Sequence, residues 1–126
     1  MNNYKDVRRG DVCIADLGMD GIGCEQQGKR PVLILQNDVG NFFSPTVTIV
    51  PITSSLKKKD LPTHYVLQHA DFMNRTSMLL AESVRTIDKR RLGRVIGHLD
   101  DMDMNGAEKA IEKQLGFTIP DAVEAP

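Results

Sequence analysis

Five short runs rich in Val, Ile, Leu and Thr alternate with turn-forming clusters along the first two-thirds of the chain, and that alternation leaves little choice of fold. The runs are Asp11 to Leu17, Pro31 to Asn37, Thr46 to Ile52, His64 to Gln68 and Met78 to Ile87, each with the length and β-branched content of a strand. Gly18, Gly21, Gly23 and Gly28 punctuate the first long loop. Asn37-Asp38 through Ser44-Pro45 form the second, and Lys57 to Pro62 the third. Many short strands joined by glycine turns predict a small barrel. After a charged turn at Asp88 to Arg91, Val95 to Leu99 adds one more strand. The period then changes: Met102, Met104, Ala107, Ala110, Ile111 and Leu115 recur at near-helical spacing. Asp100, Asp101 and Asp103 suit the positive end of a helix dipole, and Gly116 is a natural stop. The expected architecture is mainly β with helices (α+β), a small barrel flanked by a C-terminal amphipathic helix, with a frayed tail from Pro120 to Pro126.

At 126 residues the chain has room for one domain, with its core at about residues 7–117 and 118–126 as the tail. A net charge of −1 gives no attractive field for a polyanion, which disfavours a histone-like or coating role and requires any nucleic-acid contact to come from a local cluster of cations. Cys13 and Cys24 read as a buried thiol and a bystander and not as a redox pair. No apolar stretch follows Lys5, Arg8 and Arg9 as a secretion signal would require, and no run approaches the ~18 residues of a membrane span. The expected location is cytoplasmic, with no membrane anchor.

His64, His69 and His98 lack metal-ligand spacing, and there is no CxxC. No metal or cofactor is expected. The glycines of residues 18–28 precede a strand and not a helix, the wrong context for cradling a phosphate at a helix dipole; the loop reads equally as a mobile flap or an ordinary connector. Arg30 lies between that loop and the strand beginning at Pro31, beside Lys29, where it is either a solvated surface arginine or a cation aimed from the mouth of a sheet. Thr53, ahead of Ser54 and Ser55, either caps a turn or offers its hydroxyl to a ligand. The run Lys57-Lys58-Lys59 is either a solvated face or a phosphate contact.

Several motifs in register carry more than a fold class. Arg8-Arg9-Gly10-Asp11-Val12 with Ala15-Asp16-Leu17, Gly23-Cys24-Glu25-Gln26 with Gly28 and Arg30-Pro31-Val32-Leu33, Gln36-Asn37-Asp38 with Gly40-Asn41 and Ser44-Pro45-Thr46-Val47, and Arg85-Thr86-Ile87-Asp88-Lys89 with Arg91-Leu92 resemble the MazF/PemK toxins, particularly the chromosomal branch of Gram-positive bacteria. The similarity runs from about Val7 to Phe117. It implies an SH3-like β-barrel, a homodimer, a MazE-like antitoxin partner whose disordered acidic and hydrophobic segment folds along the RNA groove, and metal-independent, ribosome-independent cleavage of single-stranded messenger RNA. It places Arg30 and Thr53 on the catalytic arginine and threonine and Glu25 on the nearby loop glutamate. By the same analogy Gln26, Asn37, Ser54, Lys57, Leu61, His64, Glu82 and Ser83 contact RNA. The family usually has serine at Cys24 and commonly glutamine at Ser83; the second departure removes an amide that can pair with a base edge and so alters recognition. Relatives in this branch commonly cut within a U-A-C-A-U type pentad. The alternative is a CcdB-like non-enzymatic toxin that binds DNA gyrase, whose C-terminal tryptophan this chain lacks.

Overall fold

The computed structural model describes residues 6–117. Seven strands, β1 (Asp11–Asp16), β2 (Lys29–Ile34), β3 (Thr46–Thr53), β4 (His64–Val66), β5 (Met78–Leu80), β6 (Arg85–Asp88) and β7 (Leu92–His98), form one antiparallel sheet. Its order is β4-β5-β3-β2-β1-β7, with β6 also paired to β3. Irregularities in the β1–β7 register at Val12, Cys13 and Ala15 bend β1 and help the sheet curl. Among the described residues β4 and β7 do not pair, so the expected barrel is open.

Successive side chains of a strand point to opposite faces, and the core divides accordingly. Val12, Leu33, Val50, Ile52 and Leu79 cluster with Ala107, Ala110 and Ile111 of helix α2 (Asp101–Gln114). Cys13, Ala15, Val32, Ile34, Val47, Ile49 and Ile87 form a second cluster on the other face. Because β2 and β3 are covered on both sides, they read as continuous apolar runs and not as alternations. Cys13 is buried in β1 and Cys24 is exposed, as the thiol-and-bystander reading expects.

Three details depart from the sequence expectation. The run Met78 to Ile87 is two strands, because Ala81–Ser83 winds into a 3₁₀ turn between β5 and β6. The Asn37 to Pro45 loop contains a short helix, α1 (Asp38–Phe43), whose start Asn37 caps by accepting the Gly40 N–H at 2.9 Å; this is why β2 ends at Ile34 and does not reach Asn37. In α2 the inward stripe is Asp103, Ala107, Ala110 and Ile111, while Met102 and Leu115, expected on the apolar face, are exposed. Asp103 takes the inward position because Tyr65 Oη, Gln68 N and His69 N all donate to its carboxylate, which satisfies a charge that burial would otherwise penalise. Gly116, at φ 81°, ends the helix in a Schellman turn closed by Phe117 N to Glu112 O and Gly116 N to Lys113 O. The tail expected to fray, residues 120–126, lies outside the described residues.

Candidate nucleic-acid interface

The β2–β3 ladder pairs Val32 with Pro51, Leu33 with Val50 and Ile34 with Ile49. Continued two residues toward the start of β2, this register sets Arg30 opposite Thr53, the last residue of β3. By alternation Arg30 shares a face with Val32 and Ile34, and Thr53 shares it with Pro51 and Ile49. Arg30 is exposed, and its Nε donates to the Gln27 carbonyl at 3.0 Å. That bond fixes the base of the guanidinium and leaves its outer fork toward solvent. Thr53 Oγ1 accepts the Ser55 N–H at 3.1 Å. The hydroxyl therefore caps a turn, as the plainer reading anticipated, and still has its own proton to donate.

A cleft of about 600 Å³ opens between loop 18–28 and the 3₁₀ turn, lined among others by Glu25, Gln26, Glu82, Ser83 and Arg85. The loop is pinned at its neck by Leu17 N to Gly28 O at 2.9 Å and Gly28 N to Gly18 O at 2.6 Å. Both neck glycines hold a left-handed backbone, φ 80° and 78°, which a side chain would strain. Inside the loop, Glu25 Oε1 accepts Ile22 N–H at 3.0 Å and Gln27 Oε1 accepts Gly21 N–H at 3.1 Å. The loop is thus a folded lobe forming one wall of the cleft. Among the described residues no ion pair joins Glu25 to Arg30.

His64 is held at both ring nitrogens. Its Nδ1 donates to the Lys58 carbonyl at 2.9 Å and its Nε2 lies 2.6 Å from Glu82 Oε2, with only 6% of the side chain exposed. Both ring nitrogens are committed, and the ring braces the lysine loop against the 3₁₀ turn. Leu61 and His64 line a separate depression against α2, and Ser54 lines a third with Phe72, Arg75 and Arg94. Lys57 is exposed on its loop. Asn37 lies beyond the far end of β2 from Arg30, capping α1. The structure therefore gathers Glu25, Gln26, Glu82 and Ser83 in one cleft, and spreads Ser54, Leu61, Lys57 and Asn37 around it. Arg85 also lines the cleft; the sequence assigns it no role, because no local pattern separates a strand arginine facing a cleft from one facing solvent. Among the described residues no group of three or more His, Cys, Asp or Glu is placed to hold a metal ion, and no helix is long and apolar enough to cross a membrane.

An open antiparallel barrel with a C-terminal helix is the architecture of bacterial toxins solved alone and with antitoxins. An endoribonuclease in complex with its cognate antitoxin from a mycobacterial species aligns with a TM-score of 0.75 at 27% identity, over 90% of this chain and 99% of that one. MazF from Deinococcus radiodurans shows the same fold, with a TM-score of 0.75 at 21% identity over 91% and 99%. The chain belongs to the PemK-like, MazF-like family of type II toxin–antitoxin toxins, whose model matches residues 8–115. It is 46% identical over 112 residues to endoribonuclease EndoA of Bacillus subtilis, covering 88% of this chain and 96% of that protein. Endoribonuclease MazF of Staphylococcus saprophyticus is 42% identical over 88% and 92%. Both organisms fit the Gram-positive branch that the motifs indicated, and the gyrase-binding alternative is not favoured.

Proposed function

We propose that this chain is the endoribonuclease of a type II toxin–antitoxin pair, cutting single-stranded messenger RNA at selected sequences, independently of the ribosome and without a metal. The observation that supports the reading is the β2–β3 register, which, continued two residues beyond Val32 and Pro51, sets Arg30 opposite Thr53 on one face; a cleft lined by Glu25, Gln26, Glu82 and Ser83 adds a groove for a strand. In this reading the 2′-hydroxyl of one nucleotide attacks its own 3′-phosphate, forming a 2′,3′-cyclic phosphate as the bond to the next 5′-oxygen breaks. The 2′ proton passes to a base, for which Glu25 is the candidate, and the departing 5′-oxygen gains a proton to leave as a 5′-hydroxyl. Negative charge accumulates on the non-bridging oxygens in between. An arginine is always cationic and a poor base, but its fork matches two such oxygens, so Arg30 acts by charge stabilisation. Thr53 donates its hydroxyl proton to a phosphate oxygen and keeps the group in line.

Partner and assembly follow the same reading. The chain acts in the cytoplasm as a homodimer, and Val39, Phe42 and Phe43 of α1, each at least 70% exposed, are the kind of apolar surface a second subunit covers. A MazE-like antitoxin with an acidic, apolar segment occupies the groove and excludes RNA. Incubating the purified protein with a long RNA in EDTA tests the core of the proposal. Discrete fragments with cyclic phosphate and 5′-hydroxyl ends are expected; RNA that is bound but stays intact refutes the enzyme.

A further inference from the structure

We infer that Arg85 forms a second anionic subsite, gripping a phosphate of the RNA strand away from the scissile one; this rests on the endoribonuclease reading above. The β3–β6 ladder pairs Ile49 with Arg85 and Val47 with Ile87. By alternation Arg85 shares the face of Ile87 and Ile49, which is also the face of Arg30 and Thr53. Its side chain is exposed and lines the cleft. Three carboxylates, Asp20, Glu25 and Glu82, share that cleft, yet none forms an ion pair with it among the described residues. Glu82 is taken by His64 at 2.6 Å, and Glu25 Oε1 by the Ile22 N–H at 3.0 Å. The guanidinium therefore faces the cleft with its fork uncommitted, a poor arrangement for stability and a good one for an oxyanion that arrives from outside.

The spacing separates its role from that of Arg30. Ile49 pairs with Ile34 on one side and Arg85 on the other, so β2 and β6 flank β3. Arg85 and Arg30 are thus two strand spacings apart, about 10 Å, and offset by the four residues from Ile49 to Thr53, about 13 Å, which places their Cα atoms about 16 Å apart. A nucleic-acid strand advances about 3.4 Å per stacked nucleotide, so that distance spans several nucleotides. Arg30 is held back on the Gln27 carbonyl, beside Thr53, and Arg85 opens into the cleft between the lobe and the 3₁₀ turn. Two forks on one sheet face at this spacing fix the direction of the strand as well as one of its phosphates, a function that phosphate contacts commonly serve.

The test compares wild type, Arg85→Ala and Arg85→Lys, each checked by thermal melting. Binding is measured across a salt series with a 14-nucleotide RNA made uncleavable by a 2′-deoxy sugar at the position the wild type cuts. Arg85→Ala is expected to make the slope of log K against log salt shallower by about 0.7, the release expected for one single-strand phosphate contact. It is also expected to raise KM on the cleavable 14-mer about tenfold while kcat moves less than twofold. Arg85→Lys keeps the slope and recovers only part of the affinity, because a point charge replaces a fork. On a tetranucleotide too short to span the two arginines the KM effect shrinks. An unchanged slope and KM for folded Arg85→Ala overturns the subsite. A fall in kcat as large as that of Arg30→Ala also overturns it, by placing Arg85 on the scissile phosphate. A wild type that cuts no RNA overturns the endoribonuclease reading itself, and is told apart because every variant is then equally silent.

Discussion

Replacing Asp103 by alanine is expected to destabilise the protein by about 4 kcal/mol, a large loss for one side chain on the surface-seeking list of residues. The carboxylate is fully buried and accepts Tyr65 Oη at 2.6 Å and Gln68 N at 2.9 Å on one oxygen and His69 N at 2.9 Å on the other. Alanine strands three donors, each costing about 1–3 kcal/mol if buried without a partner; Tyr65 and the exposed residues Gln68 and His69 recover part of this from water, while relief from burying a charge offsets a little more. Asparagine separates the contributions. Its Oδ1 can keep Tyr65 and Gln68, but its amide then turns N–H toward the N–H of His69, so about 2 kcal/mol is expected. For a chain of this length these losses correspond to roughly 15 °C and 8 °C in melting temperature. Urea denaturation and thermal melting of the two variants read the values. Tyr65 supplies a second readout: burial first, and then its bond to Asp103, raise its titration above the ordinary tyrosine range, and Asp103→Ala should bring it back toward that range. Stability within 1 kcal/mol of wild type for Asp103→Ala, or a larger loss for asparagine than for alanine, refutes the reasoning that this carboxylate anchors α2 to the segment after β4.

Other expectations follow from the same geometry. Arg30→Ala should lower single-turnover RNA cleavage by about 10²–10³ with a much smaller loss of binding, and Arg30→Lys should recover little; near-normal cleavage by folded Arg30→Ala refutes its role. Thr53→Ala should slow cleavage less, since a neutral hydroxyl is the weaker donor. The His69 imidazole is raised from its ordinary 6.5 first by its hydrogen bond to Asp100, and Asp100 is lowered from 3.8 first by the Asp103 N–H and next by His69. The pair's contribution is therefore complete below pH 6.5 while Asp100 stays ionised, and fades as pH rises through the raised His69 value. Melting curves of wild type and His69→Ala between pH 5 and 9 should converge toward alkaline pH; a gap that widens there contradicts the assignment. Sedimentation at micromolar concentration should show a dimer, and a monomer that still cleaves RNA would remove the proposed assembly.

The strands were legible because burial selects runs of Val, Ile, Leu and Thr bounded by turn residues, and the terminal helix because one buried face imposes a period. Short elements left no such trace. α1 is six residues long with Val39, Phe42 and Phe43 exposed, so it has no apolar stripe, and the Asn37-Asp38 pair that starts it looks like a turn. Asp103 defeated the stripe in α2 for the opposite reason: its inward position depends on donors from residues 65–69, more than thirty positions away. For the candidate site, local pattern left Arg30 and Thr53 open between bland and functional roles, and the family resemblance alone proposed them and Glu25; how His64 is held depends on the Lys58 carbonyl and Glu82, which only the fold brings to it.

The break in the run Met78 to Ile87 is the feature that makes a cleft possible at all. β3 pairs with β6 from Thr46 to Ile49 and with β5 at Ile52 and Thr53, so it changes partner between those stretches. A continuous strand opposite β3 would have filled this edge with ladder hydrogen bonds and left Glu82 and Ser83 in a flat pleat. The 3₁₀ turn at Ala81–Ser83 instead buries Ala81 and lifts Glu82 outward, to where His64 can brace it and the lobe of residues 18–28 can face it across the cleft. The β2–β3 ladder stops at Val32 and Pro51, two residues short of Arg30 and Thr53, which pair on their other sides with Ala15 of β1 and Met78 of β5. The 3₁₀ turn that interrupts the run Met78 to Ile87 thus supplies one wall of the cleft, with the lobe of residues 18–28 as the other.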